Sequence, residues 1–155
     1  MLRNGEIVLL FQVCSRLFLL PLAAVDEILP AVTLLPVPGA GKGVEGVIEV
    51  RGQIVPVLDL GVVLELGSTL LSYGDHLIVL QSDNGKIALR VERAIELASL
   101  SELEIGGIGA SNLGGTVVLT VAKYNTTLVS ILDPQVISNA TASWHQQNGA
   151  ATAKL

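Results

Sequence analysis

One cysteine, two histidines, one tryptophan, two tyrosines and two phenylalanines are spread over 155 residues. A single thiol, Cys14, excludes an internal disulfide framework and fits a reducing cytoplasm. Cys14, His76 and His145 are the only soft metal ligands. They lie far apart in the chain, so no pair has the local spacing of a zinc site and no metal is expected. Charge is also scarce, at 15% of residues, and its balance is acidic, nine basic residues against fourteen for a net −5. Such a chain, with few aromatic rings, lacks the basic footprint and the stacking platform that hold nucleic acid. Long apolar runs are missing too. The longest, Leu17 to Val25 between Arg16 and Asp26, has about half of the ~20 residues a spanning helix needs, so direct membrane insertion is not expected. No small-residue cleavage site follows the Ile7 to Phe11 run, and no signal peptide is expected.

What is present is apolar and β-branched. Half of the residues are hydrophobic, enough for a core without staples. Ile7 to Val13 and Arg16 to Leu20 read as a hairpin turning at Cys14-Ser15. Leu22, Val25, Ile28 and Leu29 have helical spacing after Pro21 and before Pro30, which predicts a short helix. Thr33 to Leu35 reads as a short strand, and Gly61 to Leu66 as a short helical stretch. From His76 the pattern restarts: Leu77 to Gln81, a turn at Asp83-Asn84-Gly85, then Lys86 to Val91. An offset of 70 lays Leu77 on Ile7, Val79 on Leu9 and Leu89 on Leu19; Val117 to Asp133 resembles Val44 to Asp59, with an offset of 74 between the two Asp residues. Two similar units follow, each of two hairpins joined by a crossing segment. Small closed barrels suit such short strands better than an open sheet, since closure removes exposed edges. The strands are apolar on both faces, as Val8 and Leu10 show beside Ile7, Leu9 and Phe11. The second apolar face must be covered by the other barrel or by a partner protein. Residues 139–155 are polar and read as a frayed or disordered tail.

Candidate chemistry is thin. Gly39-Ala40-Gly41-Lys42-Gly43 lacks both the first glycine and the final hydroxyl of a phosphate loop. The serines have no nucleophile-elbow context, and the carboxylates are scattered, so no catalytic residue and no cofactor is expected. The most organised stretch is Gly46-Val47-Ile48-Glu49-Val50-Arg51-Gly52-Gln53-Ile54-Val55-Pro56-Val57-Leu58-Asp59-Leu60. It reads as two strands folded at Arg51-Gly52-Gln53, where glycine supplies a positive φ, with Asp59 placed to cap a helix starting at Leu60. Arg51 at the tip is either an ordinary exposed arginine or an interface anchor that pairs with a carboxylate.

This stretch resembles the signature of the CheW-like family of chemotaxis coupling proteins. The resemblance extends to Pro38-Gly39-Ala40, to Leu20-Pro21-Leu22 with Val25-Asp26-Glu27-Ile28, to Leu89-Arg90-Val91-Glu92 with Ile95, and to Leu128 to Asp133. Glu49 stands where the family usually has Asn, and Gly41-Lys42-Gly43 where it has a Pro-Pro-aromatic stretch. The resemblance implies an all-β fold with short helices: two SH3-like five-stranded β-barrels related by an internal pseudo-repeat. One CheW-like domain would span residues 5–138, with a first barrel at about 5–66 and a second at about 75–138 by the repeat. Strand exchange between the two barrels is an open alternative. It also implies a non-catalytic adaptor that joins methyl-accepting receptors, at their cytoplasmic tip, to the regulatory domain of a CheA-type histidine kinase. Such an adaptor is cytoplasmic and is recruited to the inner face of the membrane through receptor clusters. Val25, Gly46 and Arg51 match the family's receptor-contact positions, with Glu27 and Ile28 close by. An adaptor of a related pathway (twitching motility or another kinase output), a stand-alone ligand-binding barrel and a small enzyme are the alternatives.

Overall fold

The computed structural model describes residues 5–41, 43–68, 70–83, 85–105, 118–139 and 141. Val117 and the tail residues Trp144 and His145, named above, lie outside them, as does Asn84. Among the described residues, eleven strands form two sheets. In chain order they are β1 (Ile7–Val13), β2 (Arg16–Pro21), β3 (Val25–Pro30), β4 (Val44–Val50), β5 (Gln53–Asp59), β6 (His76–Ser82), β7 (Gly85–Val91), β8 (Arg93–Ser99), β9 (Glu104–Ile105), β10 (Val118–Tyr124) and β11 (Thr127–Leu132). Two short helices, α1 (Leu60–Val63) and α2 (Pro134–Asn139), follow β5 and β11.

One sheet has the order β8-β1-β2-β11-β10-β9 and the other β3-β6-β7-β5-β4. The mostly-β fold with short helices is as expected; the six-stranded sheet gains its extra member from the two-residue β9. The opening hairpins of the two repeats have changed places. β1 and β2, from the first repeat, lie in the sheet of β8 to β11, where β2 runs parallel to β11 through Phe18↔Ser130 and Leu19↔Ile131. β6 and β7, from the second, lie with β3 to β5, where β7 runs parallel to β5 through Ala88↔Val57 and Arg90↔Asp59.

This exchange explains the doubly apolar strands. On β1 and β2, Val8, Leu10 and Leu19 face the interior of their own sheet with Val129 and Ile131. Leu9, Phe11, Val13, Phe18 and Leu20 face the other way, against Ile78, Leu80, Ile87, Leu89 and Val91 of β6 and β7. The latter hairpin in turn presents Leu77, Val79 and Ala88 to Ile48, Val50, Val55 and Val57. The exchanged hairpins therefore form the middle of the molecule, and the second apolar face is covered by the other sheet except at Ile7, which is exposed. Phe11 and Phe18, cross-strand partners, stack with ring centroids 6.1 Å apart in this shared core.

Polar groups pin the crossings. Glu92, in the bend between β7 and β8, accepts from Gln12 Nε2 at 2.7 Å and from the Ser15 amide at 3.0 Å, while its own amide donates to the Gln12 carbonyl. His76 Nδ1, at the start of β6, accepts from the Ala94 amide on β8 at 3.1 Å, joining the two sheets.

The helix expected over Leu22 to Leu29 is not formed. Leu22–Ala24 makes one 3-10 turn, and Val25–Pro30 is strand β3, paired with β6. Its side chains alternate between half-buried (Val25, Glu27, Leu29) and exposed (Asp26, Ile28, Pro30), a period of two that the 22, 25, 28, 29 spacing conceals. Pairing to the waiting edge of β6 outweighs local helix preference in so short a segment. Likewise Thr33 to Leu35 contributes only the single bridge Leu35↔Val47, and the helix after Asp59 stops at Val63.

Truncating Phe11 to alanine should cost about 3–5 kcal/mol, because the cavity opens between two sheets that cannot both collapse on it. Leu128→Ala, at a side chain 71% exposed, should stay within about 0.5 kcal/mol of wild type. Urea unfolding midpoints of the two variants check the contrast.

Candidate functional site

The five-stranded sheet curls until its edges meet. The chain beyond β3 lies along β4, where the Leu35 amide donates to the Val47 carbonyl at 3.0 Å and the Val47 amide to the Leu35 carbonyl at 2.9 Å. The closure is staggered, as in a barrel. The pairing rungs from Glu27 pass through Val79, Ala88 and Val57 to Gly46. Yet the Glu27 side chain reaches further along, to the tip of the β4–β5 hairpin. There Arg51 Nη2 donates to Glu27 Oε2 at 3.2 Å.

Arg51 and Gly52 form the two-residue turn with φ of 51° and 82°. Both values are positive, as a primed hairpin turn requires, so Arg51 shares the left-handed conformation that the sequence reading gave to glycine alone. The Arg51 side chain is 76% exposed and that of Glu27 19%. Glu27 Oε1 is buried and has no hydrogen-bond partner among the described residues. The carboxylate is thus half desolvated on its inner side, while the guanidinium stands in water.

Of the five expected site residues, the structure brings Arg51 and Glu27 into contact. Val25 is opposite Leu80 and packs on the central core; a bulge between Val25 and Glu27 sets it off from the face of Glu27, which is opposite Val79. Ile28 leaves β3 on the opposite, outer face and is 38% exposed. Gly46 is buried, and a Cβ there would stand 2.5 Å from the Leu35 carbonyl oxygen and 3.1 Å from Leu34 Cβ. Its glycine is required by the closing of the sheet. Exposed contact is therefore available at Arg51 and Ile28, with Glu27, Val25 and Gly46 behind them.

A second cluster went unread in the sequence. Arg90, 3% exposed on β7, donates from Nε and Nη2 to the two oxygens of Glu45 at 2.6 and 2.7 Å. Its Nη1 reaches Asp75 Oδ2 at 2.8 Å, and Nη2 also meets Asp59 Oδ2 at 3.2 Å. Hydrogen bonding to Glu45 raises the Arg90 pKa above its already high ordinary value, so the guanidinium is charged at every accessible pH. Asp59 has a further task, as expected: its Oδ1 caps α1, accepting from the Gly61 amide at 2.9 Å and the Val62 amide at 3.4 Å. The one sequence signal was a lone Arg inside the apolar run Ile87 to Val91.

The other repeat carries its own closing pair. Tyr124, at the end of β10, donates its hydroxyl to Glu96 Oε1 on β8 at 2.9 Å, and this bond raises the Tyr124 pKa. Burial first, then the carboxylates of Glu92 and Asp59, push the Cys14 thiol pKa up, which lowers its thiolate fraction. Among the described residues no His, Cys, Asp and Glu cluster is arranged to hold a metal ion. No described helix is long and apolar enough to cross a membrane.

Two β-sheets sharing an exchanged core, with a charged hairpin tip at one seam, define a duplicated β fold. The family model for the CheW-like domain matches residues 8–142, and the chain belongs to that family. It is similar to the chemotaxis protein CheW of Treponema pallidum (strain Nichols), 25% identical over 134 residues that cover 79% of this chain and 76% of the relative. In fold it resembles the scaffolding protein TtCheW of Thermoanaerobacter tengcongensis, with a TM-score of 0.70, 21% identity, and coverage of 84% of this chain and 86% of that one.

Arg51→Ala should change stability by less than about 1 kcal/mol, because the pair it breaks is mostly exposed. Gly46→Ala should cost about 1–3 kcal/mol, because the new methyl meets backbone that cannot move aside cheaply. Chemical denaturation of both variants tests which of the two residues the fold needs.

Proposed function

We propose that this chain is a non-catalytic adaptor of chemotaxis-type signalling, coupling methyl-accepting receptors to a CheA-type histidine kinase. The reading rests on membership of the CheW-like family, and the observation that carries it to particular residues is the Arg51–Glu27 pair at the seam. A guanidinium held at a hairpin turn by one carboxylate, with most of its surface in water, is organised for polar recognition without bond chemistry. Arg51 and Ile28 would touch the receptor's cytoplasmic tip. Glu27 would aim Arg51, and Val25 and Gly46 would hold β3 and β4 at the spacing the contact needs. Because Glu27 and Ile28 leave β3 on opposite faces, a partner that uses both must wrap this strand. The adaptor would act in the cytoplasm, at the inner face of the membrane where receptors cluster, and would transmit receptor state through contact geometry.

Co-sedimentation with a cognate receptor signalling fragment and kinase tests this. Wild type should enter the ternary assembly and Arg51→Glu should be lost from it, since the new carboxylate faces Glu27 as well as any acidic partner group. Normal assembly by the variant removes Arg51 from the mechanism, and failure of wild type to bind any cognate pair overturns the adaptor reading.

A further inference from the structure

Arg90 does more than neutralise buried carboxylates, because the groups that grip it stand on both borders of the seam. Glu45 belongs to β4, next to Gly46 and two residues before the Val47 that pairs with Leu35. Asp75 lies in the turn ahead of β6. Its carbonyl accepts from the Ala31 amide, immediately after β3, at 3.0 Å. Its carboxylate holds both Arg90 and the Ser72 amide, the latter at 3.0 Å. Asp59 links the same guanidinium to the end of β5. One side chain on the middle strand thus fixes β4 directly and the end of β3 through Asp75. Those two strands are the ones whose far ends carry Arg51 and Glu27. The task needs a planar fork: two parallel donors for Glu45 and a third, diverging one for Asp75, which an ammonium cannot supply in that geometry.

We propose that Arg90 is a positioning residue for the Arg51–Glu27 face, setting the stagger at which β3 and β4 meet and so the reach of Glu27 to Arg51. The link to binding rests on the reading above, that this face receives a partner; the link to the Arg51–Glu27 geometry does not.

The test uses the full chain and the variants Arg90→Lys, Arg51→Ala and the double variant. Arg90→Lys keeps the charge and loses the fork. It should weaken binding of the receptor signalling fragment roughly two- to thirtyfold, the range of coupling carried through contiguous networks. In the Arg51→Ala background it should add no more than about twofold, because the contact it positions is already gone. The Arg51 Nε–Hε NMR resonance of the free protein should shift in Arg90→Lys. An equal loss of binding in both backgrounds would assign Arg90 a general folding role and overturn the proposal, as would an unmoved Arg51 resonance. If wild type binds no receptor fragment, the adaptor reading fails by itself and the resonance alone decides the positioning claim. Should Arg90→Lys not fold, Glu45→Gln, which weakens the grip on β4 at a half-exposed carboxylate, is read by the same two criteria.

Discussion

The two hairpins at the centre have no face to give to water. Val8 and Leu10 on one side of β1, and Leu9, Phe11 and Val13 on the other, are all buried, and β6 and β7 show the same pattern. A strand of this kind is stable only where both its faces are covered. Each sheet supplies one cover and the other sheet the second, so neither can shed its neighbour without exposing the core between them. The exchange of opening hairpins makes this dependence covalent. Each sheet holds strands from both repeats, and pulling the halves apart would also break backbone pairing between β3 and β6 and between β1 and β8. The polar bonds of Glu92 and His76 then fix the angle at which the chain passes from one sheet to the other.

Against this apolar background, Arg90 and its carboxylates are costly to bury. Desolvating one cation and three anions opposes folding, and their mutual attraction offsets that cost only when geometry is good. Here it is good: both Glu45 oxygens are engaged, and Asp75 and Asp59 each serve a backbone amide as well. A cluster built in this way does more to select one arrangement than to add stability, since a shifted register would leave several buried charges unmatched. The Arg51 pair has the opposite character. Its guanidinium remains solvated, so forming or breaking it changes little in stability and leaves it available to a partner.

Much of the fold was legible. The runs Ile7 to Val13, Leu77 to Gln81 and Val47 to Leu58 are short, β-branched and bounded by turn residues, and all are strands. Asp59 before Leu60 was readable as a cap. β3 was misread because Leu22, Val25, Ile28 and Leu29 satisfy a helical spacing; what decides the matter is the unpaired edge of β6, some fifty residues away and invisible to a local pattern. The hairpin exchange stayed an open alternative in the sequence. A repeat reports that two segments are alike, and says nothing of whether each pairs with its own copy or with the other. At the site, Arg51 stood out by its place at a turn and Glu27 by the family resemblance, but their pairing across 24 residues did not. Arg90 is joined to Glu45 across 45 residues and to Asp75 across 15, separations set by topology alone.

The two repeats solve one closure problem with different chemistry. In each, a hairpin tip reaches the glutamate of a crossing strand: Arg51 to Glu27 in the five-stranded sheet, Tyr124 to Glu96 in the six-stranded one. The geometry of closure tolerates either donor, so closure cannot be what selects a cation at the first tip. A phenol donates one hydrogen bond and leaves the glutamate's charge uncompensated, whereas a guanidinium neutralises that charge and keeps further donors facing water. The pseudo-symmetric molecule therefore presents a cation beside a carboxylate at one seam and a neutral donor beside a carboxylate at the other. That difference breaks the symmetry of an otherwise duplicated surface, so a group that supplies a carboxylate or a backbone carbonyl meets different chemistry at the two ends.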